Sequence, residues 1–218
     1  MSRRSVVFVV IALLTYAVLW AGFVENWAWI TALDNGTLRL FHEFGATRPG
    51  WITFWTAISA VFGPTAMRLI AAVGIIAAAV RRRWRILGFL AVVVMLAGPL
   101  TAAAKALSDR PRPDTALAFA ASTSFPSGHA LGAMVGVLSF VTLVWPRMPV
   151  RTRLPVIVVG TLIVVTVGLS RVALNVHHPT DVVAGWALGY LWFRLCLRTV
   201  PPWPRSGSAA ARQVSVGP

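Results

Sequence analysis

Residues 124–145, SFPSGHALGAMVGVLSFVTLVW, join a short polar motif to an uninterrupted apolar run. The run from Gly128 to Trp145 approaches the length that a helix needs to cross a hydrocarbon core of roughly 30 Å. Ser and Gly at its start are typical of a helix N-terminus. The stretch therefore predicts a membrane-spanning helix that carries polar residues at one end.

Five comparable apolar runs occur elsewhere in the 218-residue chain, at about 5–24, 63–80, 86–106, 154–172 and 182–199. Hydrophobic residues make up 57% of the sequence, far more than in a soluble domain of this length. The sequence thus predicts an all-α fold, a polytopic membrane bundle of six transmembrane helices. We expect one membrane domain over residues 1–200 and a disordered cytoplasmic tail at 201–218.

The segment 25–62 is punctuated by turn signals such as Asp34-Asn35-Gly36 and is rich in tryptophan. It predicts an outer-face loop with one or two short helices lying at the membrane interface, where tryptophan is enriched. The alternative is a second span that begins at Trp51. In that case Pro64 would kink the span and Arg68 would lie deep in the membrane, which is costly.

The formal charge of +14 comes from 20 basic residues against 6 carboxylates. The basic residues form short clusters between apolar runs, which indicates membrane topology and not nucleic-acid binding. One side of the predicted bundle receives thirteen arginines and no carboxylate: Arg3, Arg4, Arg81, Arg82, Arg83, Arg85, Arg147, Arg151, Arg153, Arg194, Arg198, Arg205 and Arg212. The positive-inside rule therefore predicts that both termini are cytoplasmic and that all three polar motifs are at the outer face.

Two compositional features bear on the compartment. The single cysteine, Cys196, excludes an internal disulfide. The abundance of Arg, Ala and Val indicates a bacterium with a GC-rich genome. The predicted location is accordingly the plasma membrane of a bacterium.

The first polar motif is Lys105-x6-Arg112-Pro113, at the outer end of the third predicted span. A lone cation there ordinarily extends to the lipid headgroups, and Lys105 by itself would be interpreted in that way. However, it is the only lysine in a chain that otherwise uses arginine. A compact ammonium and a forked guanidinium bind phosphate oxygens in complementary ways, so the pair points to a phosphate site.

The second motif, Pro126-Ser127-Gly128-His129, opens the fourth span. Taken alone, Ser127 is a helix cap. A helix N-terminus is also an anion site, and Gly128 lets a phosphate approach the backbone closely. His129 would then lie beside the bound group, and an imidazole suits general acid catalysis near neutral pH.

The third motif is Ser170-Arg171-x5-His177-x3-Asp181. If a helix begins near His177, Asp181 lies on the same face four residues later. A carboxylate on one ring nitrogen fixes the tautomer and leaves the other nitrogen as a nucleophile, although a merely structural hydrogen-bonded pair is equally compatible with the spacing. We interpret His178 as the structural neighbour, because it directly precedes Pro179.

In this order and at these span ends, the three motifs resemble those of the type 2 phosphatidic acid phosphatase superfamily, which includes lipid phosphatases and polyprenyl-diphosphate phosphatases. The resemblance covers about 105–181 and implies that His177 attacks phosphorus to form a phosphohistidine, that Asp181 orients His177, and that His129 protonates the leaving group. It further implies a phosphate-binding set of five residues, Lys105, Arg112, Ser127, Gly128 and Arg171. It implies neither a metal nor a cofactor.

The function that the sequence predicts is a metal-independent membrane phosphatase acting on a lipid phosphate at the outer face. The expected substrate is undecaprenyl or another polyprenyl diphosphate, with phosphatidic acid or phosphatidylglycerol phosphate as alternatives. Membrane lipids are the expected surroundings, and the oligomeric state stays open. Two other functions also fit the residues: a lipid phosphotransferase with the same site, and a non-catalytic lipid transporter or scramblase. A soluble vanadate-dependent haloperoxidase shares the anion site but not the six apolar runs.

Overall fold

The computed structural model describes residues 3–204, and every regular element in that part of the chain is helical. The helices are α1 Arg3–Val24, α2 Ala28–Gly45, α3 Pro49–Val61, α4 Pro64–Val80, α5 Trp84–Leu90, α6 Ala97–Ser108, α7 Gly128–Val144, α8 Val150–Ala173 and α9 Pro179–Thr199. A π-helical turn, Ala91–Met95, joins α5 to α6, and a 3₁₀ turn, Trp145–Arg147, follows α7. The predicted all-α class is confirmed for the described residues.

Five helical segments within residues 3–204 are long and apolar enough to cross a membrane: Arg3–Val24, Pro49–Val80, Trp84–Ser108, Gly128–Arg147 and Val150–Ala173. They contain the first five predicted runs. The sixth, 182–199, lies in α9, which is not among these five, so the count of six spans is not confirmed. The charged Asp181, Arg194 and Arg198 make α9 more polar, and its closest packing is against α1 and α7 in the middle of the bundle.

The segment predicted as a loop with short helices contains α2 and α3. The interpretation of Asp34-Asn35-Gly36 as a turn was wrong, because these residues lie inside α2. Asp34 is buried on the same face as Ile30 and Leu38. Helix α3 is tied to the end of α8 by the Trp51 indole, which donates to the Ala173 carbonyl at 3.0 Å.

The apolar stretch Pro49–Val80 is interrupted near Gly63, where α3 ends and α4 begins. Pro64 occupies the first turn of α4, a position that does not need its missing N–H group. Arg68 therefore lies one turn inside α4, which begins where the predicted run 63–80 begins, and the alternative of a span from Trp51 stays a prediction.

Glycines bring the start of α7 close to its neighbours. A Cβ atom on Gly185 of α9 would lie 2.5 Å from the Ser127 carbonyl oxygen, and one on Gly132 would lie 2.6 Å from Pro64. Small residues at helix contacts in membranes let backbones approach in this way. The first turn of α7 is thereby held between α4 and α9.

Of the predicted tail, residues 201–204 are described and the rest, 205–218, lies outside the described residues. The Trp203 indole donates to the Thr142 carbonyl at 3.4 Å and its ring lies under the Arg147 guanidinium. The chain just after α9 thus packs against the C-terminal end of α7.

Candidate active site

The three sequence motifs meet where α6, α7, α8 and α9 begin or end on one side of the bundle. Three backbone hydrogen bonds hold the connecting segments together: Ser124 N–H donates to Arg110 O at 2.7 Å, Leu117 N–H to Leu174 O at 2.9 Å, and Ser127 N–H to Asp181 O at 2.9 Å. Residues that are more than fifty positions apart in the chain are therefore brought to one place.

His177 lies in the short connection between α8 and α9 and is only 2% exposed. Its Nε2 lies 3.3 Å from Arg112 Nη1, and its Nδ1 lies 3.5 Å from both Asp181 Oδ2 and Ser124 Oγ. Because a guanidinium can only donate, Nε2 accepts and Nδ1 carries the proton. The unprotonated nitrogen therefore faces the arginine.

Burial lowers the pKa of His177 from its ordinary 6.5 to about 4, and the Asp181 carboxylate opposes that shift. The positive charges of Arg112 and Lys105 lower it further. His177 is consequently neutral at physiological pH, the state in which an imidazole nitrogen has a lone pair available for bonding.

Asp181 is fully buried in the first turn of α9. One carboxylate oxygen accepts from Arg110 at 2.6 Å; the other accepts from the Ser124 hydroxyl and from the His178 backbone N–H at 2.8 Å. Helix α9 begins at Pro179, after His177, so the two residues do not share a helical face as the conditional prediction supposed. They meet because the carboxylate caps the helix and turns back toward the preceding loop.

His178 is the structural neighbour that the sequence predicted, since it caps α9 together with Asp181. Its Nδ1 lies 3.1 Å from Asp181 Oδ2, closer than that of His177. The carboxylate thus contacts both imidazoles. Only His177, however, also contacts Arg112.

A buried ionic network supports Asp181, and the sequence analysis missed it. Arg110 is 7% exposed and joins Asp181 to Asp34 of α2, with Nη2 donating to Asp34 Oδ2 at 2.8 Å. Thr180 adds a second link, because its hydroxyl donates to Asp34 Oδ2 at 2.6 Å and its N–H donates to Asp34 Oδ1 at 3.1 Å. One guanidinium therefore pairs with two buried carboxylates.

Three other cations lie close to His129 or His177 without a carboxylate partner in the described part of the chain. Lys105 donates to the carbonyls of Thr123 and Ser124, and Arg112 donates to the carbonyls of Ser122 and Val176. Arg171 of α8 donates to the Ser59 hydroxyl of α3 at 2.6 Å. We call Lys105, Arg112 and Arg171 the cation triad.

Neutral partners leave the positive charge of the cation triad uncompensated. Burial lowers the pKa of Arg112 from its ordinary value, while Asp181 acts in the opposite direction. Two buried polar atoms at the site, Ser127 Oγ and Arg171 Nε, have no hydrogen-bond partner within residues 3–204. Both atoms are therefore free to bind a polar ligand.

The N-terminus of α7 completes this binding place. Gly128 is its first helical residue, and the first N–H groups of a helix have no intrahelical acceptor. His129 follows on the same turn, and it is close enough to Arg171 and His177 for both to act on it electrostatically. Its ring has no hydrogen-bond partner within residues 3–204, and Gly63 packs beside it.

All eight predicted site residues are therefore gathered around one location: Lys105, Arg112, Ser127, Gly128, His129, Arg171, His177 and Asp181. Sequence reasoning did not find Asp34, Ser59, Arg110, Ser124 or Thr180, which orient them. Within residues 3–204, no three His, Cys, Asp or Glu side chains form a group that could hold a metal ion. The site combines three cations, two imidazoles and one buried carboxylate, and a cluster of cations suits an anionic ligand.

A cavity of about 400 Å³ opens from this location between α4, the π-helical turn with α6, and α7. Lys105, Ser122 and Gly128 lie at one end, and Val94, Leu131 and Val135 line the apolar part. We call this cavity the lateral groove. The lateral groove therefore runs from the charged site into the apolar, membrane-spanning part of the bundle.

The comparisons with known proteins agree with this arrangement. The PAP2 superfamily model matches residues 85–205, more than half of the chain. The chain belongs to the PAP2 superfamily, whose matched members here are membrane lipid phosphatases.

Individual relatives make the likeness more specific. A decaprenylphosphoryl-5-phosphoribose phosphatase of Mycobacterium tuberculosis is 38% identical over 159 residues, which cover 70% of this chain and 73% of that protein. Phosphatidylglycerophosphatase B of Bacillus subtilis is 41% identical over 91 residues, 40% of this chain and 44% of that protein. The crystal structure of a transmembrane PAP2-type phosphatidylglycerolphosphate phosphatase of Bacillus subtilis superposes with a TM-score of 0.76 at 27% identity, covering 91% of this chain and 98% of that one. The chain is accordingly a multi-pass membrane protein.

Proposed function

We propose that this protein is a membrane phosphatase that hydrolyses lipid phosphate esters or diphosphates at the outer face of a bacterial plasma membrane. The observation that carries the proposal is the cation triad, three cations close to the imidazoles of His129 and His177 that have no carboxylate partner among residues 3–204. The lateral groove opens from the same place and offers an apolar path for a lipid chain. A headgroup phosphate could then reach the site without leaving the bilayer.

The proposed reaction uses the two histidines in turn. His177 Nε2 attacks phosphorus, so an N–P bond forms while the P–O bond to the leaving group breaks. His129 donates its proton to the departing oxygen. In the second step His129 takes a proton from water, and the resulting hydroxide attacks the phosphohistidine. Inorganic phosphate leaves and His177 is restored.

The remaining residues stabilise charge during this transfer. Phosphoryl transfer depends mainly on positioning and on neutralising the equatorial oxygens. We propose that the cation triad, the Ser127 hydroxyl and the Gly128 N–H bind those oxygens. Asp181 supports the positive charge that His177 acquires on attack, and its distance of 3.5 Å from Nδ1 leaves room for that contact to shorten. In this proposal the cations replace a metal ion.

The relatives narrow the substrate class. The substrates named for the Mycobacterium and Bacillus proteins are lipids that carry two phosphate groups. We propose that this chain also acts on a lipid with two phosphate groups, a class that includes the polyprenyl diphosphates. The outer-face assignment rests on the distribution of arginines, because Arg81, Arg82 and Arg83 lie at the opposite end of α4 from Gly63.

The test is phosphate release by the detergent-solubilised full chain in the presence of EDTA. The panel contains phosphatidic acid, phosphatidylglycerol phosphate and undecaprenyl diphosphate. We expect release from at least one lipid, undiminished by EDTA and reduced by at least a thousandfold in His177→Ala. Acid-labile, base-stable labelling of the wild type but not of His177→Ala would identify the phosphohistidine.

Three outcomes would contradict the proposal. They are absence of hydrolysis on every lipid, full activity in His177→Ala, and loss of activity with EDTA that added metal restores. Transfer of label to a second lipid instead of to inorganic phosphate would favour the phosphotransferase. Lipid movement in liposomes that persists in the His129→Ala, His177→Ala double variant would favour transport.

A further inference from the structure

Arg68 is a charged residue inside a membrane-spanning segment to which the reaction above gives no role. It lies one turn into α4 and lines the lateral groove together with Lys105 and Gly128. Its Nε donates to the Pro64 carbonyl at 3.2 Å and its Nη2 to the Thr65 hydroxyl at 3.4 Å. The guanidinium therefore points toward the end of α4 that adjoins the candidate active site.

The opposite wall of the groove fixes the depth of this guanidinium. A Cβ atom on Gly98 of α6 would lie 3.6 Å from Arg68 Nη1. Gly98 and Lys105 are seven residues apart on α6, which corresponds to about 10 Å along the helix axis. The Arg68 guanidinium thus lies beside α6 about two turns from the backbone of Lys105, in the direction that a lipid chain would take.

Arg68 is also unusual in having no counter-ion. None of the ion pairs in the described part of the chain includes it, and its hydrogen-bond partners are one carbonyl and one hydroxyl of its own helix. An arginine in a membrane-spanning segment costs free energy, and such residues mark ligand or ion pathways. Extension to the lipid headgroups would explain the orientation of the side chain, but not why it faces the groove that leads to the site.

We infer that Arg68 binds a second phosphate of the substrate, within the part that leaves. This inference rests on the proposed function. A phosphate at the cation triad and a phosphate at Arg68 would be separated along the groove, as they are in a lipid whose terminal phosphate is joined to an inner phosphodiester through a polyol. The two phosphates of a diphosphate share one oxygen and span a shorter distance, so we expect hydrolysis of a diphosphate to depend less on Arg68. Arg68 therefore favours polyol-bridged lipids such as phosphatidylglycerol phosphate.

The experiment compares kcat/KM for phosphatidylglycerol phosphate, undecaprenyl diphosphate and phosphatidic acid in mixed micelles. In Arg68→Gln we expect kcat/KM for phosphatidylglycerol phosphate to fall at least tenfold more than that for phosphatidic acid, chiefly through KM. Arg68→Lys should restore part of the difference, because it keeps the charge but not the fork. Arg81→Gln is the matched control: it makes the same change at the C-cap of α4, outside the groove, and we expect no change in selectivity.

Binding is measured separately so that this inference and the proposed function can fail independently. His177→Ala is titrated with short-chain phosphatidylglycerol phosphate, with and without Arg68→Gln, and we expect at least tenfold weaker binding with the second change. Equal losses on all three lipids, or no loss of affinity in the titration, would overturn the role of Arg68. Absence of hydrolysis by the wild type, with the affinity difference still present, would overturn only the phosphatase.

Discussion

Replacement of Arg110 by glutamine tests whether the buried network holds the site together. Arg110 is the only residue that contacts both Asp34 and Asp181 through charged groups in the described structure, at 2.8 and 2.6 Å. Removal of one partner from a buried ion pair costs about 3–5 kcal/mol, because a charge is left uncompensated. Here two carboxylates lose their partner, so we expect the upper part of that range. For a chain of this size the midpoint of thermal unfolding should fall by roughly 10 °C or more.

The assay is thermal unfolding of the detergent-solubilised protein, followed by the loss of the monodisperse peak in size-exclusion chromatography. Arg39→Gln serves as the control, because Arg39 is an exposed arginine on the same helix as Asp34. Adding Asp34→Asn to Arg110→Gln should recover part of the loss, since one of the two unpaired charges is then removed. A shift below about 2 °C for Arg110→Gln, or a further drop in the double variant, would refute the reasoning.

Three further predictions concern the pH profile, the packing of α7 and the topology. Because the pKa of His177 is lowered to about 4, we expect the acid limb of the kcat/KM profile near pH 4, and an acid limb at pH 6.5 would contradict this assignment. In the unfolded chain His177 takes up its proton near pH 6.5. The stability of the folded protein should therefore fall as the pH drops from about 6.5 to about 4 and then level off. Gly185→Ala should destabilise the protein by about 1–3 kcal/mol and reduce activity, because its new methyl group would meet the Ser127 carbonyl. Gly36→Ala should do neither, since no atom lies near its new methyl group. Equal midpoints of thermal unfolding for the two variants would contradict the close packing at Gly185. Topology can be tested with single cysteines introduced into a Cys196→Ser background. Phe119→Cys, at a position that is 92% exposed, should react with a membrane-impermeant maleimide in intact cells, whereas Arg82→Cys should react only after lysis. The reverse labelling pattern would contradict the proposed topology.

The helices that the sequence predicted well are those whose signal is local. An apolar run of eighteen or more residues is visible without knowledge of its neighbours, and α1, α7 and α8 begin and end within about four residues of the predicted runs. Helix α2 is different, because Asp34-Asn35-Gly36 has low helix propensity and is typical of a turn. The buried contacts of Asp34 with Arg110 and Thr180 are made between distant parts of the chain, and they override that local preference.

The site was predicted to the extent that its residues belong to recognisable motifs. Arg110 and Arg112 lie two positions apart in the same proline-rich loop, yet only Arg112 was selected. In an extended segment, residues two apart can still diverge when prolines fix the backbone, and here one guanidinium contacts Asp34 and Asp181 while the other contacts His177. No spacing in the sequence indicates which arginine turns in which direction.

This division between the two arginines accounts for the electrostatics of the site. If Arg112 were paired with Asp181, the carboxylate would cancel the charge that a phosphate dianion needs, and binding would require that the ion pair be broken. Arg110 instead forms the direct ion pairs with Asp181 and Asp34. Within residues 3–204 the hydrogen-bond partners of the cation triad are neutral, so its charge is available to the substrate that we propose. The carboxylate can then orient His177 without competing with phosphate for the cations.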